Sequence, residues 1–113
     1  MKAVVSAMFR VVLWHAQKGD CFLCEEPLPD LNETPEDKGD SITIEHLQPR
    51  SKGGRNRLLN YAVSHHRCNN KRGNDPLTRE QEYRAAELQF EVSEIIADAG
   101  LRIEFPAEES QAA

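Results

Sequence analysis

Three cysteines and a histidine are spaced as two pairs that could hold one metal ion. Cys21 and Cys24 are separated by two residues. The same gap separates His65 from Cys68. Zinc takes four sulfur or nitrogen ligands in a tetrahedron, and two such pairs supply that set. The odd number of cysteines disfavours a disulfide framework, and the strand and helix pattern of thioredoxin-like redox proteins is missing.

The fourth ligand has two candidates, since His66 directly follows His65. The equal spacing of the two pairs favours His65. A chain of 113 residues buries only a modest share of its surface, so a metal would supply stability that a small core cannot. We therefore predict structural zinc, held by Cys21, Cys24, His65 and Cys68.

A second set of residues could hydrolyse a phosphodiester. Glu45 and His46 end a β-branched segment, Asn60 follows fourteen residues after His46, and Asn69 comes directly after the last cysteine. A neutral imidazole can take a proton from water. Carboxylate and amide oxygens, as in Glu45 and Asn69, suit Mg²⁺ or Mn²⁺, which would polarise the phosphate. Asn60 could brace the intervening loop through its amide.

The charge of the chain is unevenly distributed. The net charge is −5, yet residues 46–79 contain eight Lys or Arg residues and one acid. A solvated face is the alternative, but such a block is typical of a surface that binds nucleic acid. The turn at residues 51–55 adds backbone amides that suit a phosphate. The predicted phosphate contacts are Arg50, Lys52, Arg55, Arg67, Lys71 and Arg72.

The N-terminal segment predicts an amphipathic helix over residues 2–17, closed by Gly19. Residues 25–40 contain three prolines and seven acids, which predicts a loop. The apolar positions of the helix recur at three- and four-residue steps and are Val4, Met8, Val11 and Val12, followed by His15.

Four further elements are expected, which are a strand at residues 41–45, a second strand at 61–64, a helix from about residue 66 and a packing helix at about 78–99. The two strands could pair across a long loop. Thr78 and Gln81 form a capping box at the start of the last helix. Residues 101–105 predict an edge strand or a frayed end, and residues 106–113 a frayed tail. The expected apolar positions of the last helix are Tyr83, Leu88, Val92, Ile95, Ile96 and Ala99.

The order of these motifs resembles the HNH endonucleases of the ββα-metal type, in the zinc-knuckle branch that is common in bacteria and phages. The matching stretches are CFLC, IEHLQPRSKGGRN, LLN and HHRCNNKRGNDP, within about residues 14–76. The resemblance implies a single α+β domain over residues 1–113. Its centre would be a small zinc-stabilised ββα-metal unit, flanked by an N-terminal helix and a longer C-terminal helix.

The resemblance also implies roles for individual residues. The first histidine of the family signature is the general base, which falls on His46, and the acid before it, here Glu45, binds the catalytic metal. The middle asparagine falls on Asn60 and orders the loop that orients the base. Asn69 completes the metal ligation. Asp is more usual at position 45, and Cys is more usual at position 65.

The function implied is metal-dependent cleavage of DNA, with structural Zn²⁺ and catalytic Mg²⁺ or Mn²⁺. We expect nicking with weak sequence specificity, because no recognition domain is appended. A zinc-stabilised nucleic-acid-binding module without hydrolysis stays open because of Glu45, as does a protein-interaction module. There is no apolar run of 18 residues and no signal-peptide pattern after Met1. We expect a cytoplasmic protein of a bacterium or a phage-infected cell, monomeric or homodimeric, with DNA as its partner and no membrane.

Overall fold

The computed structural model describes residues 3–100. Within that range the chain forms three α-helices and a two-stranded antiparallel sheet, in the order α1 (Ala3–Ala16), β1 (Ile42–His46), β2 (Tyr61–His65), α2 (His66–Arg72) and α3 (Arg79–Asp98). The α+β class is confirmed. None of these described helices combines the length and apolar character needed to cross a membrane. The elements expected at residues 101–105 and 106–113 lie outside the described residues.

The two strands pair in a register that fixes the geometry of both candidate sites. Ile42 lies opposite His65, and His46 lies opposite Tyr61. The backbone amide of Leu47 continues the ladder by donating to the carbonyl of Asn60 at 2.7 Å. The end of β1 therefore lies beside the start of β2, and α2 begins directly where β2 ends. Both predicted strands and their pairing are confirmed.

Every residue of β2 is buried, because α1 and α2 both contact it. Helix α1 contributes Phe9, Leu13 and Ala16 to the core, and also contacts α3. The core side of α3 includes Leu88 and Val92. The core thus surrounds β2, whose two ends lead into the two candidate sites.

The helix predicted at the N-terminus is confirmed, but the face predicted for it is wrong. Val4, Met8 and Val11 are 72%, 53% and 45% exposed. Apolar residues occur on several sides of α1, so the spacing alone does not select a face. The contacts with β2 and α3 select the face that carries Leu13. For α3, the same correction applies to Tyr83, which is 67% exposed.

The predicted capping box of α3 is confirmed. The Thr78 hydroxyl accepts a hydrogen bond from the Gln81 amide at 3.1 Å, and the Gln81 side chain accepts from the Thr78 amide at 3.0 Å. These two bonds satisfy backbone donors that the first turn of a helix leaves unpaired. The start of α3 is therefore set by local sequence.

The segment after α1 is fastened to the middle of β2. The Gln17 side chain donates to the carbonyl of Val63 and accepts from its amide, both at 2.8 Å. The amide of Phe22 donates to the same carbonyl at 3.1 Å. The predicted loop at residues 25–40 is confirmed, with a short 3-10 helix at Lys38–Asp40. These bonds hold the first cysteine pair next to the sheet.

Candidate functional site

The two ligand pairs predicted from the sequence come together at the junction of β2 and α2. The first pair lies in the loop after α1, and the second comes from the last residue of β2 and the first turn of α2. Their ligand atoms all lie within 4.8 Å of one another. This spacing suits a single tetrahedral ion such as zinc. The four residues that could hold it are Cys21, Cys24, His65 and Cys68.

His65 has the orientation expected of a metal ligand. Its Nε2 donates to the carbonyl of Pro27 at 3.0 Å, which leaves the lone pair of Nδ1 for an ion. Nδ1 lies 3.4 Å from the Cys24 sulfur. His66 points elsewhere, since its Nε2 lies 3.1 Å from Nδ2 of Asn70. The geometry therefore places His65, and not His66, with the cysteines.

The pKa values of Cys21 and Cys68 shift in opposite directions. Burial would raise the pKa of the Cys21 thiol, but backbone amides of Cys24 and His65 donate to its sulfur and lower the pKa to about 7. Burial and repulsion from the other sulfurs raise the pKa of Cys68 to about 12. A divalent ion between the sulfurs would remove that repulsion and favour the thiolates. The donor set suits zinc.

A polar pocket of about 260 Å³ lies between the end of β1 and α2. Glu45, His46 and Asn69 all line it, together with Arg50 and Ser51 from the following loop. Asn69 donates through Nδ2 to the hydroxyl of Thr43 at 3.3 Å. Three of the four residues predicted for catalysis therefore face a common pocket, although they come from separate parts of the sequence.

Glu45 is buried at this pocket, with 3% of its surface exposed. The Ser64 hydroxyl donates to its Oε1, and Arg72 donates to its Oε2 at 3.1 Å. Burial raises the pKa of Glu45, and these two partners oppose that rise. Both carboxylate oxygens are therefore engaged by neighbouring side chains. Ser64 is not among the site residues predicted from the sequence, because no pattern around Ser64 links it to Glu45.

Only 7% of the Arg72 side chain is exposed, and its guanidinium is committed to the protein. Besides Glu45, it donates to the carbonyls of His46 at 2.8 Å and Leu47 at 2.6 Å, and its Nε donates to the carbonyl of Asp75. These bonds make Arg72 a poorer candidate for a phosphate contact than the exposed cations of the same set. Its observed role is to tie the end of α2 to the end of β1.

His46 is held between two side chains. Its Nε2 lies 2.8 Å from Oδ1 of Asn56. On another side, the Tyr61 ring meets it edge to face, with ring centroids 5.0 Å apart. Asn56 was not predicted as a site residue, although it lies in the stretch that carries the family resemblance. Its link to His46 depends on how the intervening loop closes.

Asn60 closes that loop. Its Oδ1 accepts from the amide of Gln48 at 2.9 Å, and its Nδ2 donates to the carbonyls of Gln48 and Arg55 at 3.1 and 2.8 Å. Gly54 is required at the closest approach, because a Cβ there would lie 1.7 Å from the carbonyl oxygen of Gln48. The side chain of Asn60 thus joins both ends of residues 48–55.

The remaining predicted phosphate contacts differ in their surroundings. Arg50, Lys52 and Lys71 are exposed, and Arg55 is half-buried. Arg67 is exposed but forms ion pairs with Asp37 and Asp40. Both acids belong to the loop at residues 25–40, the acidic loop. Arg50, Lys52 and Lys71 are therefore the better candidates for contacts with a polyanion, whereas part of the charge of Arg67 is offset.

Comparison with known families agrees with this geometry. The family model described as HNH endonuclease matches residues 21–75. The matched segment includes both strands, α2, the four candidate zinc ligands and the polar pocket. A comparison with curated proteins found no match. The resemblance recognised in the sequence is confirmed, since residues 21–75 match the model of the HNH endonuclease family.

Proposed function

We propose that the protein is a metal-dependent endonuclease that hydrolyses DNA phosphodiester bonds. The observation that carries the proposal is that Glu45, His46 and Asn69 line one polar pocket within a segment of the HNH family. The candidate zinc group supports the same β2–α2 junction that presents Asn69. Zinc would therefore act by holding the catalytic unit together.

In the proposed reaction, His46 takes a proton from the water that attacks the phosphate. The ring contacts described above restrict His46 to one orientation, which such a base requires. A divalent cation such as Mg²⁺ or Mn²⁺, held by Glu45 and Asn69, would polarise the phosphate and stabilise the leaving oxygen. Asn60 keeps the loop beside the base closed.

The two proposed ligands of the catalytic cation fit that role chemically. Asn69 uses Nδ2 to bond Thr43, so the other branch of its amide is the oxygen that a hard cation prefers. Glu45 accepts one hydrogen bond at each oxygen, and a carboxylate has about four lone-pair positions to share. A cation can therefore join the carboxylate without displacing Ser64 or Arg72.

We propose DNA as the substrate because the pocket adjoins a group of cations, most of them exposed. Arg50 lines the pocket, and Lys52 and Arg55 follow in the same loop. Lys71 lies on α2, two residues after Asn69. Contacts to phosphates position a protein on DNA but carry no sequence information. We therefore expect nicking with weak sequence specificity.

The test is a nicking assay on supercoiled plasmid with Mg²⁺ or Mn²⁺. We compare the wild-type chain with zinc-loaded His46→Ala and with His15→Ala as a matched control, because His15 is exposed on α1. We expect His46→Ala to reduce the nicking rate by roughly 10²- to 10⁴-fold. His15→Ala should nick like the wild type. Undiminished nicking by a folded His46→Ala variant would exclude His46 as the base.

One observation favours a second candidate function, a zinc-stabilised DNA-binding module without hydrolysis. The charge of Glu45 is already balanced by the ion pair with Arg72, which weakens the attraction of this carboxylate for a catalytic cation. This candidate predicts salt-dependent DNA binding and no metal-stimulated nicking by any variant. Adding Mn²⁺ to the wild type and recording both binding and nicking separates the two candidates.

A further inference from the structure

We propose that Asn56 is a positioning residue that fixes the tautomer of His46, which leaves Nδ1 as the atom that accepts the proton. The inference rests on the proposed function, because it assigns a proton acceptor to His46. It starts from the 2.8 Å contact between His46 Nε2 and Asn56 Oδ1. This contact lies outside the set of residues that the sequence predicted for catalysis.

The chemistry of the two atoms determines the tautomer. An amide oxygen can only accept a hydrogen bond, so Nε2 of His46 must be the donor. A neutral imidazole carries one N–H, and its other nitrogen holds the lone pair. The proton of the attacking water therefore passes to Nδ1, while the water oxygen forms a bond to phosphorus and the bond from phosphorus to the leaving oxygen breaks. The resulting imidazolium keeps its Nε2–H bond to Asn56.

Asn56 is itself held in place by the loop that Asn60 closes. The preceding residue, Arg55, has its carbonyl bound to Nδ2 of Asn60 at 2.8 Å. On the other side of the loop, Asn60 accepts from the amide of Gln48, two residues after His46. Asn60 therefore fixes the chain next to both partners of the bond between His46 and Asn56. Asn60 therefore acts on His46 indirectly, by holding Asn56 in place.

The Tyr61 ring completes the restriction on His46. It meets the imidazole at an interplanar angle of 76°, with centroids 5.0 Å apart. Tyr61 lies opposite His46 in the strand register and is buried, so the core holds its ring. Tyr61 limits where the imidazole can lie, whereas Asn56 selects which nitrogen carries the hydrogen. Only the second property depends on a hydrogen-bond acceptor at position 56.

The first experiment measures the tautomer directly by ¹⁵N NMR of the imidazole nitrogens in the full, zinc-loaded chain. His46→Gln assigns the His46 signals. We expect the wild type to show hydrogen on Nε2 of His46. Asn56→Leu, which has no acceptor, should populate both tautomers, and Asn56→Asp should restore the wild-type pattern. Hydrogen on Nδ1 in the wild type, or no change in Asn56→Leu, would overturn the proposal.

A matched control exists elsewhere in the same domain. Asn70 contacts His66 through Nδ2 at 3.1 Å, so Asn70→Ala also removes an asparagine beside a histidine. It should change the His66 signals and leave those of His46 unchanged. If Asn70→Ala shifts the His46 tautomer as strongly as Asn56→Leu does, the effect is not specific to Asn56 and the proposal fails.

The second experiment measures nicking at saturating DNA. We expect Asn56→Leu to lower the maximal rate by roughly 10- to 100-fold with little change in the half-saturating DNA concentration, because only the base is affected. Asn56→Asp should recover most of the rate, and Asn32→Ala, in the acidic loop, should match the wild type. Equal maximal rates for Asn56→Leu and wild type would overturn the positioning role.

Failure of the proposed function would look different. If His46→Ala nicks as fast as the wild type, His46 is not the base, and the proton acceptor assigned here falls with it. The NMR result in the same samples still decides whether Asn56 sets the tautomer. If Asn56→Leu leaves the His46 tautomer unchanged while His46→Ala still nicks slowly, only the role of Asn56 is rejected.

Discussion

Nη1 of Arg72 lies 3.1 Å from Oε2 of Glu45, and 7% and 2% of the two side chains are exposed. This ion pair connects the end of α2 to the end of β1 where almost no water reaches it. The attraction between the two charges offsets the cost of burying them only while both are present. The same contact therefore supports the fold and sets the position of the proposed metal-binding acid.

Removing Arg72 should destabilise the fold far more than removing its neighbour. In Arg72→Met the Glu45 carboxylate is left buried without its cation, and we expect a loss of about 3 kcal/mol or more in the free energy of unfolding. Lys71→Met removes an exposed charge on the same helix and should cost at most about 0.5 kcal/mol. Equilibrium unfolding in urea measures both. Equal losses of stability in the two variants would contradict the claim that the ion pair between Arg72 and Glu45 stabilises the fold.

Zinc content should distinguish the two adjacent histidines. His65→Ala removes a proposed ligand, so it should lower zinc content well below one ion per chain and lower the melting temperature by roughly 10 °C or more. His66→Ala should retain zinc, because its side chain contacts Asn70. Metal analysis and thermal melting check both variants. A wild-type melting curve that does not change when a chelator removes zinc would refute a structural role for the ion.

Gly54 and Gly53 should respond differently to alanine. The added Cβ at position 54 would meet the carbonyl oxygen of Gln48 at 1.7 Å, so the loop backbone must move. We expect Gly54→Ala to lower nicking by about 100-fold, since a base displaced by 1 Å loses that much. Gly53 has a φ of +87° but no close neighbour. Gly53→Ala should mainly cost about 1 kcal/mol of stability, measured by urea unfolding.

Salt dependence should identify the residues that contact phosphate. Each phosphate contact that is lost should reduce the slope of log K against log salt by about 0.9. We expect Lys52→Gln to reduce the slope of plasmid or duplex binding by about that amount. Lys18 lies outside the basic segment at residues 46–79, so Lys18→Gln should leave the slope unchanged. Fluorescence anisotropy over a series of salt concentrations is the measurement. Identical slopes for Lys52→Gln and wild type would remove Lys52 from the interface.

Features set by nearby residues could be predicted from the sequence. The two-residue gaps of the ligand pairs and the Thr78 capping box depend on local geometry, and both appear where the sequence placed them. The first strand is predicted at residues 41–45, because that segment is β-branched and alternates, and the structure has it at Ile42–His46. The resemblance to the HNH family added the order of the motifs across the chain.

Features set by distant contacts could not be predicted in this way. Helix α1 is apolar on several sides, so only its contacts with β2 and α3 decide that Leu13 is buried and Met8 is exposed. Arg72 and Lys71 have the same charge and adjoin in sequence, and the orientation of α2 alone separates their roles. The bond from Asn56 to His46, which lie ten positions apart, likewise depends on how the intervening loop closes.

The chain contains one tryptophan, and its position makes it a natural optical probe. The Trp14 indole donates to the carbonyl of Pro29 at 3.1 Å and packs against Gly19, just before the first cysteine pair. Disorder in that segment would break the hydrogen bond and admit water to the ring. Intrinsic fluorescence, excited at the indole band, should therefore follow metal loss and refolding in real time without an attached dye.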